Sequence, residues 1–175
     1  MMVEVPPVAL SKFQGDGYTV HEQAGPHVWF LILNAKEGPF SDVRVRQAAN
    51  YAINKEAIVN DVLEGTAAVA AGPTPPAFAW AYNNSLEPYP YNPEKARQLI
   101  SEAGADGAEL TFFVTEGGSG MLDPVAMGTA IQADLQAVGL KVNIETYEWN
   151  TFLGEVNPGL EGKADMAEMA WMTNC

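Results

Sequence analysis

The sequence predicts an α/β domain, a mixed and mostly parallel sheet flanked by helices. Three observations point there. Residues 27–34, HVWFLILN, form one continuous apolar run, the mark of a strand covered on both faces, as in the centre of an α/β sheet. The second half alternates strand, helix, strand, helix, strand, from ELTFFVT to ADMAEMAWM, an order that produces parallel pairing through helical crossovers. The composition, 47% hydrophobic and 18% charged over 175 residues, is that of a globular chain long enough to bury its own core.

The elements follow in order. The N-terminal region reads as extended up to Pro26. After the apolar strand, Gly38-Pro39 turns the chain and Ser41 is placed to cap a helix whose Val45, Ala48, Ala49 and Ala52 keep the i, i+3, i+4, i+7 spacing. Asn54 caps a second, short helix with Ile58, Val59, Val62 and Leu63 as its stripe, and Gly65 closes it. From Ala67 to Tyr91 Pro, Asn and aromatics replace any period, so a long loop is predicted. Asn92-Pro93 then opens a helix carrying Ala96, Leu99, Ile100 and Ala103 on one face, and Gly104 ends it.

Leu110, Phe112 and Val114 share one face of the next strand. The segment GGSG and Asp123-Pro124 lead into a helix with Met127, Ala130, Ile131, Leu135 and Val138 inward and Gly139 as its stop. Leu140, Val142 and Ile144 alternate with Lys141, Asn143 and Glu145, which makes a half-exposed strand. A short helix after Trp149 precedes the last strand.

Charge and composition narrow the function classes. Nine Lys+Arg stand against 22 Asp+Glu, a formal net charge of −13. Phosphate backbones and anionic membrane surfaces repel such a chain, so nucleic acid is excluded as a partner. No run approaches the roughly 18 consecutive apolar residues of a membrane helix. The N-terminus lacks the basic start and cleavage site of a signal peptide, which leaves a cytoplasmic protein or part of an exported one. The lone cysteine is the last residue, Cys175, so an internal disulfide is impossible.

A search for catalysis finds little. His21 and His27 are the only histidines, with no cysteine or carboxylate at metal-ligand spacing, so no metal site is expected. Gly117-Gly118-Ser119-Gly120 lies between a strand and a helix. It has neither the Lys-Ser/Thr of a P-loop nor the dinucleotide spacing. It is a flexible turn or a loop that touches a ligand through its amides. No Gly-x-Ser-x-Gly elbow occurs. The pairs Glu56 and Asp61, Glu94 and Glu102, and Glu155 and Glu161 read as solvated helix faces. An α/β enzyme would need a nucleophile, base or metal cluster, so no catalytic residue and no cofactor are expected. The aromatics are more informative. Trp149 follows a strand, in TYEWNTF, and Trp171 ends the last strand, in MAWMTN. Ligands of open α/β sheets bind at the carboxyl ends of strands, so both indoles stand where a cleft would be. The alternative is that both pack in the core. Phe78, Trp80, Tyr82, Tyr89 and Tyr91 in the long loop present the same choice, with covering a domain flank as the simpler role.

The run PFSDVRVRQAANYAINKEAIVNDVLEGTA resembles a signature segment of the peptide/nickel-type (family 5) solute-binding proteins of ABC importers. The resemblance continues through the lead-in VPP…F…GYTV, the strand ending at Asn34, the proline-rich stretch Gly72–Ala77, YNPEKARQLISEAG, ELTFFV, AIQADLQAVGLKVNIE, YEWNTFL and ADMAEMAWMTN. It covers about Val5 to Asn174. It implies a lobe like those of type II periplasmic binding proteins, in a periplasmic or extracellular protein. Residues 1–26 would be an extended lead-in from the hinge or first lobe. Residues 27–175 would be the second-lobe α/β domain, incomplete at its C-terminal end, with the natural start of the chain absent.

The implied function is capture of a peptide-like solute by two-lobe closure and delivery to a membrane ABC permease. The missing first lobe would be a partner within the same protein, and a homodimer could form through exposed lobe surface. By position, Trp149 matches a tryptophan that lines the side-chain pocket in peptide-binding relatives, and Trp171 matches the tryptophan of the motif after the last strand. Three residues on, relatives place an aspartate that pairs with the peptide's amino terminus. Here it is Asn174, and an amide gives up roughly 1–2 kcal/mol of charge-assisted bonding. An opine, a sugar, a modified peptide or a nickel complex therefore stands as the alternative solute. A solute sensor or regulator on the same fold is the alternative role.

Overall fold

The computed structural model describes residues 5–21, 25–118 and 120–172. A 3₁₀ turn at Pro7–Ala9 runs into helix α1, Leu10–Gly15, none of whose residues is buried. The lead-in is therefore not extended throughout. Pro7 sets a helical φ at the start of the turn, and no glycine or proline interrupts the chain from Val8 to Gln14. Strand β1, His27–Leu33, follows. Helix α2 spans Val43–Ala52, and α3, Lys55–Ala57, continues as a π-helical turn over Ile58–Val62. Helix α4 is Pro93–Glu102 and strand β2 is Glu109–Thr115. Helix α5, Pro124–Ala137, strand β3, Lys141–Tyr147, helix α6, Trp149–Val156, and strand β4, Met166–Met172, complete the order.

The sheet order is β1-β4-β2-β3. β2 runs parallel to β3 and to β4, while β1 is antiparallel to β4, so the sheet is mixed and mostly parallel. Among the described strands β1 stands at the end of the sheet, not at the centre as its apolar run predicts, and all seven of its residues are half-buried. The run arises because β1 is covered by the two different core layers. Trp29, Leu31 and Leu33 face one cluster and Phe30 and Ile32 the other.

The larger cluster joins Leu110, Phe112, Val114, Val142 and Met166 of the sheet to Val45, Ala48, Ala49 and Ala52 of α2, Ile100 of α4, and Met127, Ile131 and Leu135 of α5. The smaller cluster, on the opposite face, joins Phe113, Ala167 and Met169 to Phe152 and Val156 of α6. Helix α2 is capped by Asp42, whose Oδ1 accepts the Arg44 N–H at 2.8 Å. Ser41 is instead the last residue of a 3₁₀ turn, Pro39–Ser41. The Arg44 guanidinium hydrogen-bonds the Asp42 carboxylate and holds it down to about 2, which suits a charged N-cap. Asn54, Asn92 and Asp123 cap α3, α4 and α5 through side-chain oxygens that accept from Ala57, Lys95 and Ala126. No helix among the described residues is long and apolar enough to cross a membrane.

Candidate ligand-binding site at the strand ends

The crossover from β2 to β3 passes over one face with α5, and that from β3 to β4 passes over the other with α6. The parallel strands lie in the order β3-β2-β4, with the connection from β2 going outward to β3 and that from β3 coming back across β2 to β4. The strand order reverses between β2 and β4, the topological switch point where an open α/β sheet leaves a crevice for a ligand. Two sequence features meet beside it, at the carboxyl ends of β2 and β3. Trp149 is the first residue of α6, immediately beyond β3, and the glycine-rich loop leaves β2 after Thr115.

The local geometry is tight. Trp149 is half-buried and stacks on Phe152, with centroids 6.0 Å apart and planes 13° apart. The glycine-rich loop also lies against the indole: a methyl group at Gly118 would come within 2.7–2.8 Å of two of its carbons, so only glycine lets the backbone approach so closely. Gly120 has φ +76 and likewise packs on the His27 ring. The Glu116 N–H donates to the Tyr147 carbonyl at 2.9 Å and ties the loop to the end of β3. Glu148 caps α6, accepting the N–H groups of Asn150 and Thr151, and so fixes the start of the helix at Trp149. The ring of Tyr147 meets that of Phe113 edge-on at 5.0 Å.

Trp171 lies near the end of β4, opposite Val28, and is 66% exposed. Strand alternation gives it the α6 face, with Ala167 and Met169. Asn174 and Cys175 lie outside the described residues. His21 is exposed and His27 half-buried. Among the described residues no group of three or more His, Cys, Asp or Glu is placed to hold a metal. In the long loop Phe78 is buried while Trp80 is 86% exposed, and Tyr89 meets Tyr51 edge-on at 5.1 Å. Tyr89 thereby ties the loop to helix α2.

Sequence reasoning missed Glu168. It is fully buried, and burial pushes its carboxyl up to about 8, opposed in part by the hydrogen bond from the Thr115 N–H. A signal was present. In MAEMA the glutamate interrupts an apolar run at the inward alternate position, two residues from Met166.

A profile of the family described as bacterial extracellular solute-binding proteins, family 5 Middle, matches residues 1–175. The chain is 39% identical over 148 residues to heme-binding protein A of Haemophilus influenzae, covering 81% of this chain and 27% of that protein. It is 33% identical over 168 residues to the dipeptide-binding protein of Escherichia coli, covering 94% of this chain and 31% of that protein. The chain thus spans less than a third of the length of either relative. Among solved structures, an ABC transporter-associated periplasmic binding protein from Helicobacter pylori, in complex with the peptide STSA, superposes with a TM-score of 0.84 at 30% identity. That alignment covers 96% of this chain and 31% of the other.

Proposed function

Because the chain belongs to the bacterial extracellular solute-binding proteins of family 5, we propose that it is a ligand-contacting lobe that captures a peptide-like solute and delivers it to an ABC permease. Residues 27–175 are this lobe, the second of two, and residues 1–26 lead in from the hinge or first lobe. The solute is held between the lobes, and closure excludes water, which strengthens every polar contact made to it. The role is binding and not catalysis.

The observation that carries this reading is Trp149 at the carboxyl ends of β2 and β3, beside the switch point, with Phe152 stacked on its ring and the glycine loop against it. The indole offers a rigid apolar face and one donor to solute side chains of varied shape. The exposure of Trp171 supports a contact role for it rather than a core one. Relatives whose names specify dipeptides, and a structural neighbour bound to a peptide, favour a peptide-like solute. A non-peptide solute is the second reading. It is favoured by Asn174, where a carboxylate would pair with a peptide amino group, and by likeness to heme-binding protein A.

The test is Trp149→Ala in the longer protein that carries both lobes, titrated with a dipeptide series by calorimetry. Affinity is expected to fall roughly tenfold or more, the scale of losing a buried aromatic contact, with Tm within a few degrees of wild type. Unchanged affinity would make Trp149 a core residue and refute the site.

A further inference from the structure

Glu168 is not accounted for by packing. It lies on the core face of β4, fully buried. Its Oε1 accepts the Thr115 backbone N–H at 2.9 Å, and its Oε2 has no partner among the described residues. On the neighbouring strand, Trp29 and Leu31 oppose Ala170 and Glu168. Trp29 therefore shares the face of Glu168, and its buried indole N–H likewise has no partner among the described residues. Leaving a buried polar atom without a partner is destabilising. A methionine would fill the same space without that cost.

The sheet ladder suggests what the carboxyl does. β2 and β4 pair through Phe112↔Met166 and Phe113↔Ala167. Beyond these pairs the Glu168 side chain, not the β4 backbone, takes up the Thr115 N–H. Thr115 passes the constraint on, because its Oγ1–H donates to the Gly117 carbonyl at 2.6 Å. The next residue, Gly118, is the one packed on the Trp149 ring.

We propose that Glu168 is a positioning residue: by bridging β4 to the Thr115 N–H, it sets Gly117 and Gly118 against the Trp149 indole and fixes one wall of the solute pocket. That Trp149 lines a pocket rests on the function proposed above, whereas the link from Glu168 to Trp149 stands apart from it.

NMR of the 175-residue chain tests the link without a ligand. Glu168→Met removes the acceptor at nearly constant volume, Glu168→Gln keeps an oxygen there, and Thr115→Val cuts the relay at the hydroxyl. In Glu168→Met the Thr115 amide is expected to exchange roughly tenfold faster, the scale of one lost buried hydrogen bond. The Gly117, Gly118 and Trp149 indole signals should shift, while α4 amides keep wild-type protection. Glu168→Gln should restore these signals, and Thr115→Val should move Gly117, Gly118 and Trp149 alone. A folded Glu168→Met that leaves Gly118 and Trp149 unmoved overturns the proposal, as does a Glu168→Gln as perturbed as Glu168→Met. If Glu168→Met does not fold, Thr115→Val decides, and unmoved signals there overturn it. Dialanine added to the two-lobe protein separates the two ideas. A Trp149 signal indifferent to dipeptide, with the relay intact, refutes the pocket and upholds the link.

Discussion

Glu168 gives the molecule a pH dependence whose sign can be worked out. An unfolded glutamate releases its proton near pH 4.3, whereas burial holds the folded-state value at about 8. Between these values the folded chain binds a proton that the unfolded chain has lost, so stability falls as pH rises through the window. The contribution is on the order of 5 kcal/mol across it. Thermal denaturation from about pH 5 to about pH 8 should show Tm declining in wild type, with the Glu168 share of that slope absent in Glu168→Gln. Equal slopes in the two proteins would show that the carboxyl is ionised in the fold. At this scale Trp149 was legible because an aromatic just after a strand stands at a strand's carboxyl end. Glu168 was not, because a glutamate in a list of acids looks like any solvated one until the strand's inward face is known.

Element by element, helix positions were the most legible feature, since caps and apolar spacing are local. Asn54, Asn92-Pro93 and Asp123-Pro124 begin α3, α4 and α5 as their residue types predict. Asp42 displaced Ser41 as the α2 cap because its carboxylate also pairs with Arg44, a preference that two adjacent good cap residues do not reveal. Asn92→Ala should destabilise the chain by about 1 kcal/mol, read as a lower urea midpoint at unchanged m. Phe152→Ala should cost more, about 3–5 kcal/mol. Phe152 is fully buried under the α6 face and backs the Trp149 ring. The accompanying loss of Trp149 order would appear as a red-shifted fluorescence maximum in the folded state. A cost below that of Asn92→Ala would show that α6 is not a true wall of the smaller core.

For the molecule as a whole, the charge of −13 opposes compaction through self-repulsion. Raising NaCl from about 0.01 M to about 0.3 M shrinks the screening length from about 30 Å to under 10 Å and should raise Tm by several degrees. A flat response would mean that the acidic groups are spaced widely enough not to interact. The proposed division of labour between lobes makes a further prediction. This chain alone owns only part of the solute contacts, so calorimetry should find no micromolar binding of dipeptides to it. Tight binding by the isolated chain would refute the two-lobe mechanism. Size-exclusion chromatography over a range of concentrations tests the homodimer expected from exposed lobe surface, and a monomer throughout would exclude it.

The sequence by itself determined the fold class, the helices from α2 onward with the caps of α3, α4 and α5, the parallel alternation of the second half and the family resemblance, because each is written in short-range spacing or contiguous motifs. Only the tertiary structure decided that β1 stands at the end of the described sheet, that β2 and β4 flank the switch point, and that Glu168, Thr115, Gly118 and Trp149 form one connected set. Those facts depend on strand order and register between segments distant in sequence, as in the bond between Thr115 and Glu168, 53 residues apart. Apolar periodicity records that a face is buried, not which element buries it.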